Sequence, residues 1–181
     1  MSAFYVTTPI NNKPSTFEND LQRMVYDNLS KLGIEFSRVE NEPAVTMEDC
    51  KNIDEAFGIE TIKTIFLTNR QKTKFYLLVM PADKLFVTKD FGEALQIPRV
   101  SFANEELLYS ILGTPHGAAS PLSVIMDVEQ KVSVIIDKDI SMRDKIVCTD
   151  GTLHAFVCLK SKDLIERYLT YLNHYPIIID L

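Results

Sequence analysis

Thr61-Ile62-Lys63-Thr64-Ile65-Phe66-Leu67-Thr68, a polar tip Asn69-Arg70-Gln71-Lys72-Thr73, then Lys74-Phe75-Tyr76-Leu77-Leu78-Val79-Met80: this stretch decides the fold. Both arms are rich in β-branched and aromatic residues, which suit a pleated, buried surface. Two such runs around a short polar connection read as a β-hairpin. Pro81 has no N–H for a ladder and ends the second strand. Lys63 lies among apolar neighbours. Such a lysine either carries its ammonium out to the surface or points it into a pocket.

Before the hairpin, Ser15-Thr16-Phe17-Glu18 has the form of a capping box, and Phe17, Leu21, Met24, Val25, Leu29 and Leu32 follow at helical spacing up to Gly33. Ile34 to Val39 alternates as a strand, and Thr46 begins a second helix running to about Phe57. Beyond the hairpin come an extended piece at Phe86-Val87, a helix from Lys89 to Leu95, a strand at Arg99–Phe102 and a helix from Asn104 to Leu112. Ser123–Asp127 and Lys131–Asp137 read as a second strand pair. Lys145–Cys148 and Leu153–Leu159 read as a third, turned at Asp150-Gly151. Lys162–Leu172 is a closing helix and Tyr175–Ile179 a terminal strand. Hairpins with helices between them, rather than alternating βαβ units, predict an α+β fold. The sheet is expected to be mixed and mostly antiparallel, or a partly open barrel, with helices around it. Residues 1–16 read as an N-terminal arm and 17–181 as a single domain.

The chain has 181 residues, 46% of them hydrophobic and 24% charged, as in an ordinary soluble globular protein. No apolar run approaches the roughly 20 residues that span a bilayer, so no membrane partner is expected. Met1 to Tyr5 lacks the basic and apolar segments of a signal peptide. Three cysteines without metal spacing read as reduced thiols, which favours a cytoplasmic protein. A net charge of −6 argues against generic nucleic-acid binding. The charge is uneven, however: residues 59–99 carry 7 basic against 4 acidic side chains. That face could meet a phosphate backbone, or be a solvated hairpin edge.

Phosphate loops, dinucleotide fingerprints, nucleophile elbows and His-Glu-x-x-His are all absent. His116, His154 and His174 are far apart and show no ligand spacing. What stands out is Leu112-Gly113-Thr114-Pro115-His116-Gly117-Ala118-Ala119-Ser120-Pro121-Leu122, with two glycines, two prolines and very small side chains. Proline stiffens such a loop, and glycine lets its backbone approach a ligand. It reads either as a plain helix-to-strand connection or as a small site made of backbone groups.

The order of these pieces resembles the YbaK-type aminoacyl-tRNA deacylase family, and most closely the freestanding relatives of the prolyl-tRNA synthetase editing domain. Leu32-Gly33-Ile34-Glu35-Phe36 with Val39 to Thr46 is similar to the family's opening. Ile62-Lys63-Thr64-Ile65-Phe66-Leu67 and Phe75 to Pro81 are similar to its lysine-bearing hairpin. Leu95 to Phe102 follows its next helix and strand, and Gly117-Ala118-Ala119-Ser120-Pro121 falls on its Gly-x-x-x-Pro loop. Ile125-Met126-Asp127 and Val132 to Asp137 are similar to the two strands after it. The resemblance implies hydrolysis of mischarged aminoacyl-tRNA, chiefly alanine on tRNA for proline, without metal or cofactor. Its partners would be the aminoacylated tRNA end and prolyl-tRNA synthetase. It implies catalytic roles for Lys63, Gly117, Ala118, Ala119 and Ser120. Substrate contacts would come from Thr64, Phe66, Gly113, Pro121, Met126, Thr149 and His154. Thr64 and Met126 stand where the family has Asn, and Thr149 to His154 replaces its His-Pro-x-x-Asn-Thr. The alternative is a catalytically inactive module of this fold that binds a tRNA end, a small ligand or a protein.

Overall fold

A computed structural model describes residues 4–181; Met1-Ser2-Ala3, the start of the arm and of the leader reading, lie outside the described residues. Among the described residues, eight strands form two sheets. The larger has the order β4 (Val100–Phe102), β2 (Ile62–Asn69), β3 (Phe75–Pro81), β5 (Val132–Asp137), β8 (Ile177–Ile179). The smaller has the order β1 (Phe36–Glu40), β7 (Ala155–Lys160), β6 (Lys145–Thr149). The α+β class holds. The two sheets stay separate, so there is no closed barrel.

The β2–β3 hairpin is antiparallel with Lys63 opposite Met80 and Phe66 opposite Leu77. Every residue of β3 is buried, because the sheet is covered on both faces. Leu77 and Val79 meet the central core with α1 (Asp20–Lys31) and the closing helix, whereas Leu78 and Met80 meet Phe91 of α3 (Thr88–Leu95). Burying one such leucine contributes about 2 kcal/mol. Val39, Val147, Phe156 and Cys158, on one face of the small sheet, pack under Ile53 of α2 (Cys50–Phe57). The arm lies along the outer edge of β1: Ile10 and Arg38 exchange backbone hydrogen bonds of 2.8 Å, which covers an otherwise open edge.

Three expectations are corrected. Ser123–Asp127 is not a strand; Pro121–Met126 is a 3₁₀ turn. Ser120 caps it by accepting the Leu122 N–H at 3.1 Å, and Pro121 at the first helical position suits its fixed φ. Local chemistry outweighs the β-branched character of Val124 and Ile125. The capping box is displaced as well: Asn19 caps α1, accepting from Gln22 N at 2.8 Å, while Gln22 Oε1 accepts from Glu18 N. Finally, β5 pairs with β3 in parallel instead of closing a local hairpin, and the terminal strand β8 pairs with β5, also in parallel. The closing helix, residues 161–171, is wound with wider π-type turns over Asp163–Leu169.

Asp127 fastens the start of β5 to the C-terminal segment. Its carboxylate accepts the N–H groups of Lys131 (3.0 Å) and Val132 (2.8 Å), and lies 3.0 Å from His174 Nε2. Burial works against the charged carboxylate, but the His174 and backbone hydrogen bonds outweigh it and hold the group below the usual carboxylate range. A carboxyl depressed on folding stabilises fully above its unfolded value, near ~3.9, and loses that contribution as pH falls through the folded value. Asp127→Ala is expected to cost about 3 kcal/mol, since buried donors lose their acceptor. Urea unfolding at pH 7 and pH 3 checks this: the deficit should be large at pH 7 and shrink at pH 3.

Candidate functional site

Strand β4 pairs with β2 only at Leu67, Thr68 and Asn69. The first half of β2 therefore has an uncovered edge, and there a cleft of about 610 Å³ opens between the two sheets. Its floor is β2 from Ile62 to Phe66, together with Cys148 and Thr149 of β6 and Phe156 of β7. Its rims are the Ala44–Met47 loop, the Leu85-Phe86 loop with Phe102, and the turn His116-Gly117 with Ala119.

Of the residues anticipated as a site, Lys63, Thr64, Phe66, Gly117, Ala119 and Thr149 line this cleft. The others lie elsewhere. Gly113 ends helix α4 (Glu105–Leu112) with φ +67 and packs on Met126. Ala118, Ser120 and Pro121 are buried behind the loop. His154 is on the outer surface, with Nδ1 2.7 Å from Glu18 Oε1. Lys63 donates from Nζ to the Lys84 carbonyl, and Lys84 in turn binds the buried Asp137 at 2.9 Å and Asp139 at 2.9 Å. The lysine thus ties β2 to the rim loop, while an ammonium has three hydrogens to donate.

The loop is held from behind. Ala118 N–H donates to Pro115 O at 3.1 Å, and Gly117 has φ +89, the conformation that the third position of a type II turn requires. A Cβ on Gly117 would also meet Val45 O at 3.1 Å, so the turn rests directly on the neighbouring backbone. Thr149 Oγ1 donates to Ala118 O at 2.6 Å and accepts Gly151 N–H at 3.2 Å. Behind Thr149, the fully buried Asp150 accepts from Gln22 Nε2 (2.9 Å), Tyr26 OH (2.8 Å), Thr152 Oγ1 (2.7 Å) and Thr152 N (3.1 Å). Burial pushes its carboxyl above the usual range, and the hydrogen bonds hold it back. The segment from Thr149 to Thr152 therefore props the loop.

Gly117 and Ala119 line the cleft, and their N–H groups have no acceptor among the described residues. Unpaired N–H groups on a rigid turn can bind a developing oxyanion. The thiols on the cleft are poor nucleophiles: burial raises that of Cys50 and pushes that of Cys148 up to about 12, so both stay protonated. Among the described residues no group of three His, Cys, Asp or Glu side chains could hold a metal. The sequence reading missed the apolar rim. Its signal was the unpatterned Leu85-Phe86 pair, where Leu85 is 86% exposed, and Phe102, 65% exposed. Thr149→Val is expected to free the loop, lowering stability by about 1–2 kcal/mol through the orphaned Ala118 carbonyl. Denaturation curves and proteolysis near residue 117 check this.

A family described as "aminoacyl-tRNA editing domain" matches residues 41–166. The chain is 28% identical over 145 residues to the prolyl-tRNA editing protein ProX of Acetoanaerobium sticklandii, covering 80% of this chain and 88% of that one. It is 26% identical to the prolyl-tRNA synthetase associated domain-containing protein 1 of Danio rerio over 163 residues, 88% of this chain and 87% of that one. In fold it is similar to the crystal structure of a candidate trans-editing enzyme for prolyl tRNA synthetase, with TM-score 0.67 at 15% identity, covering 91% of this chain and 99% of the other. The matched span contains all four walls of the cleft, and the chain belongs to the aminoacyl-tRNA editing domain family.

Proposed function

We propose that the protein is a trans-editing deacylase that hydrolyses mischarged aminoacyl-tRNA, with alanyl-tRNA for proline as its principal substrate. The observation that carries this reading is the cleft lined by Lys63 of β2 together with Gly117 and Ala119, whose N–H groups have no acceptor among the described residues. Family membership supports the reaction class, and the name of the ProX relative supports the tRNA. The ester carbonyl oxygen lies against the Gly117 and Ala119 N–H groups and gains negative charge as water adds to the carbonyl carbon. The carbon–oxygen bond to the ribose then breaks, releasing the amino acid and a free ribose hydroxyl. Lys63 engages the terminal adenosine or its phosphate as a flexible point charge. Thr64 and Phe66, on the floor beside it, contact the same nucleotide. Small side chains fit next to Ala119, while larger rings clash, which is a second sieve by size. The reaction needs no metal or cofactor, and it takes place in the cytoplasm beside prolyl-tRNA synthetase, which releases the rejected product.

A second reading is a silent binding module. It is favoured by the inward-facing Asp150 and by His154 bound to Glu18, which leave the Thr149–His154 segment bracing the loop. Deacylation of tRNAs charged with alanine, cysteine, serine or proline separates the two. The expected result is turnover of the alanyl ester, reduced at least tenfold by Lys63→Ala. A module would spare every ester yet still bind uncharged tRNA, with affinity falling as salt rises.

A further inference from the structure

Resting on the hydrolysis reading, we propose that His116 is the general base that activates the attacking water. Three histidines occur, and two are committed. His174 bridges Asp127 Oδ2 and Leu172 O, each at 3.0 Å, and His154 holds Glu18. The ring of His116 has no hydrogen-bond partner among the described residues, is solvent-exposed, and lines the cleft directly before Gly117. It stands at the second position of the pinned type II turn. Its backbone is fixed by the Ala118-to-Pro115 bond, the Gly117 contact with Val45 and the Thr149 hydroxyl on Ala118. A catalytic group needs such a mounting, because small misplacements cost much of the rate.

The groups facing it leave no rival. Lys63 of β2 spends its Nζ as a donor to the Lys84 carbonyl. Cys50 of α2 and Cys148 of β6 stay protonated through burial. No carboxylate lines the cleft. On the adjoining 44–47 rim, the nearby Asp49 is occupied by the N–H groups of Val45 and Thr46 and by the Thr46 hydroxyl. Imidazole is the side chain whose ordinary titration falls between about pH 5 and 8. The neutral ring takes a proton from water as the water oxygen bonds to the ester carbonyl carbon. The imidazolium then returns that proton to the ribose oxygen as its bond to the carbon breaks, so the base is regenerated.

The test is kcat/KM for alanyl-tRNA between pH 5.5 and 8.5, for wild type, His116→Gln and His116→Ala with and without added imidazole. The wild type should rise along an imidazole-type limb and level off. His116→Gln should be slower by about 100-fold or more at pH 7.5 and lose that limb, with KM little changed. Added imidazole should partly restore His116→Ala. A wild type that turns over alongside an equally active His116→Gln with the same pH profile overturns the assignment to His116 alone. A wild type that spares every ester overturns both this assignment and the hydrolysis reading.

Discussion

A hydroxyl-to-carbonyl bond between two buried residues, Thr149 Oγ1 to Ala118 O at 2.6 Å, joins the small sheet to the loop over the large one. Everything that makes the cleft a site depends on it. The large sheet alone supplies an uncovered edge of β2 carrying a lysine. The loop alone is a glycine turn. Tied together, they form an apolar cavity with a cation on one wall and free N–H groups on the other. The support behind the bond is strained in favour of geometry: Asp150 is a buried acid without a cation, held only by neutral donors. A Cβ on Gly151 would come within 2.6 Å of the Leu21 side chain and would have to adopt φ +97, so the turn beyond Thr149 favours glycine on both counts. Buried polar groups of this kind gain specificity of arrangement at some expense in stability.

The hairpin from Ile62 to Pro81 was legible because its signal is local: apolar residues on both sides of a polar tip. The same holds for the periodicity of the helices, though not for their starts: α1 is capped by Asn19 rather than Ser15, and α2 begins at Cys50 rather than Thr46. What could not be read was long-range. Lys131–Asp137 looks like half of a hairpin, but its partner β3 lies 57 residues earlier (Phe75 opposite Val132), and nothing in either strand announces a parallel pairing. Ser123–Asp127 misled because β-branched residues predict a strand where a Ser cap and a Pro start a tight turn instead.

The site was legible unevenly for the same reason. Lys63 stood out as a charge in an apolar strand, and the Gly117 turn as a cluster of small residues. Which loop backbone groups are free could not be seen. Ala118 spends both its N–H, on Pro115 O, and its carbonyl, on the Thr149 hydroxyl, inside the loop's own support. His116 was passed over because a lone histidine in sequence gives no hint of the cavity beside it. Only the commitments of His154 and His174 to Glu18 and Asp127 make the third ring conspicuous.

On the proposed function, the aminoacylated tRNA end occupies the cleft between β2 and the Gly117 turn. A crystal structure with a non-hydrolysable 3′-alanylamido-adenosine tests it most directly. The account predicts the analogue in this cleft, its carbonyl oxygen within hydrogen-bond distance of the Gly117 and Ala119 N–H groups and its adenosine toward Lys63. An analogue bound at any other surface, or one in the cleft with its carbonyl turned away from the loop, would contradict it.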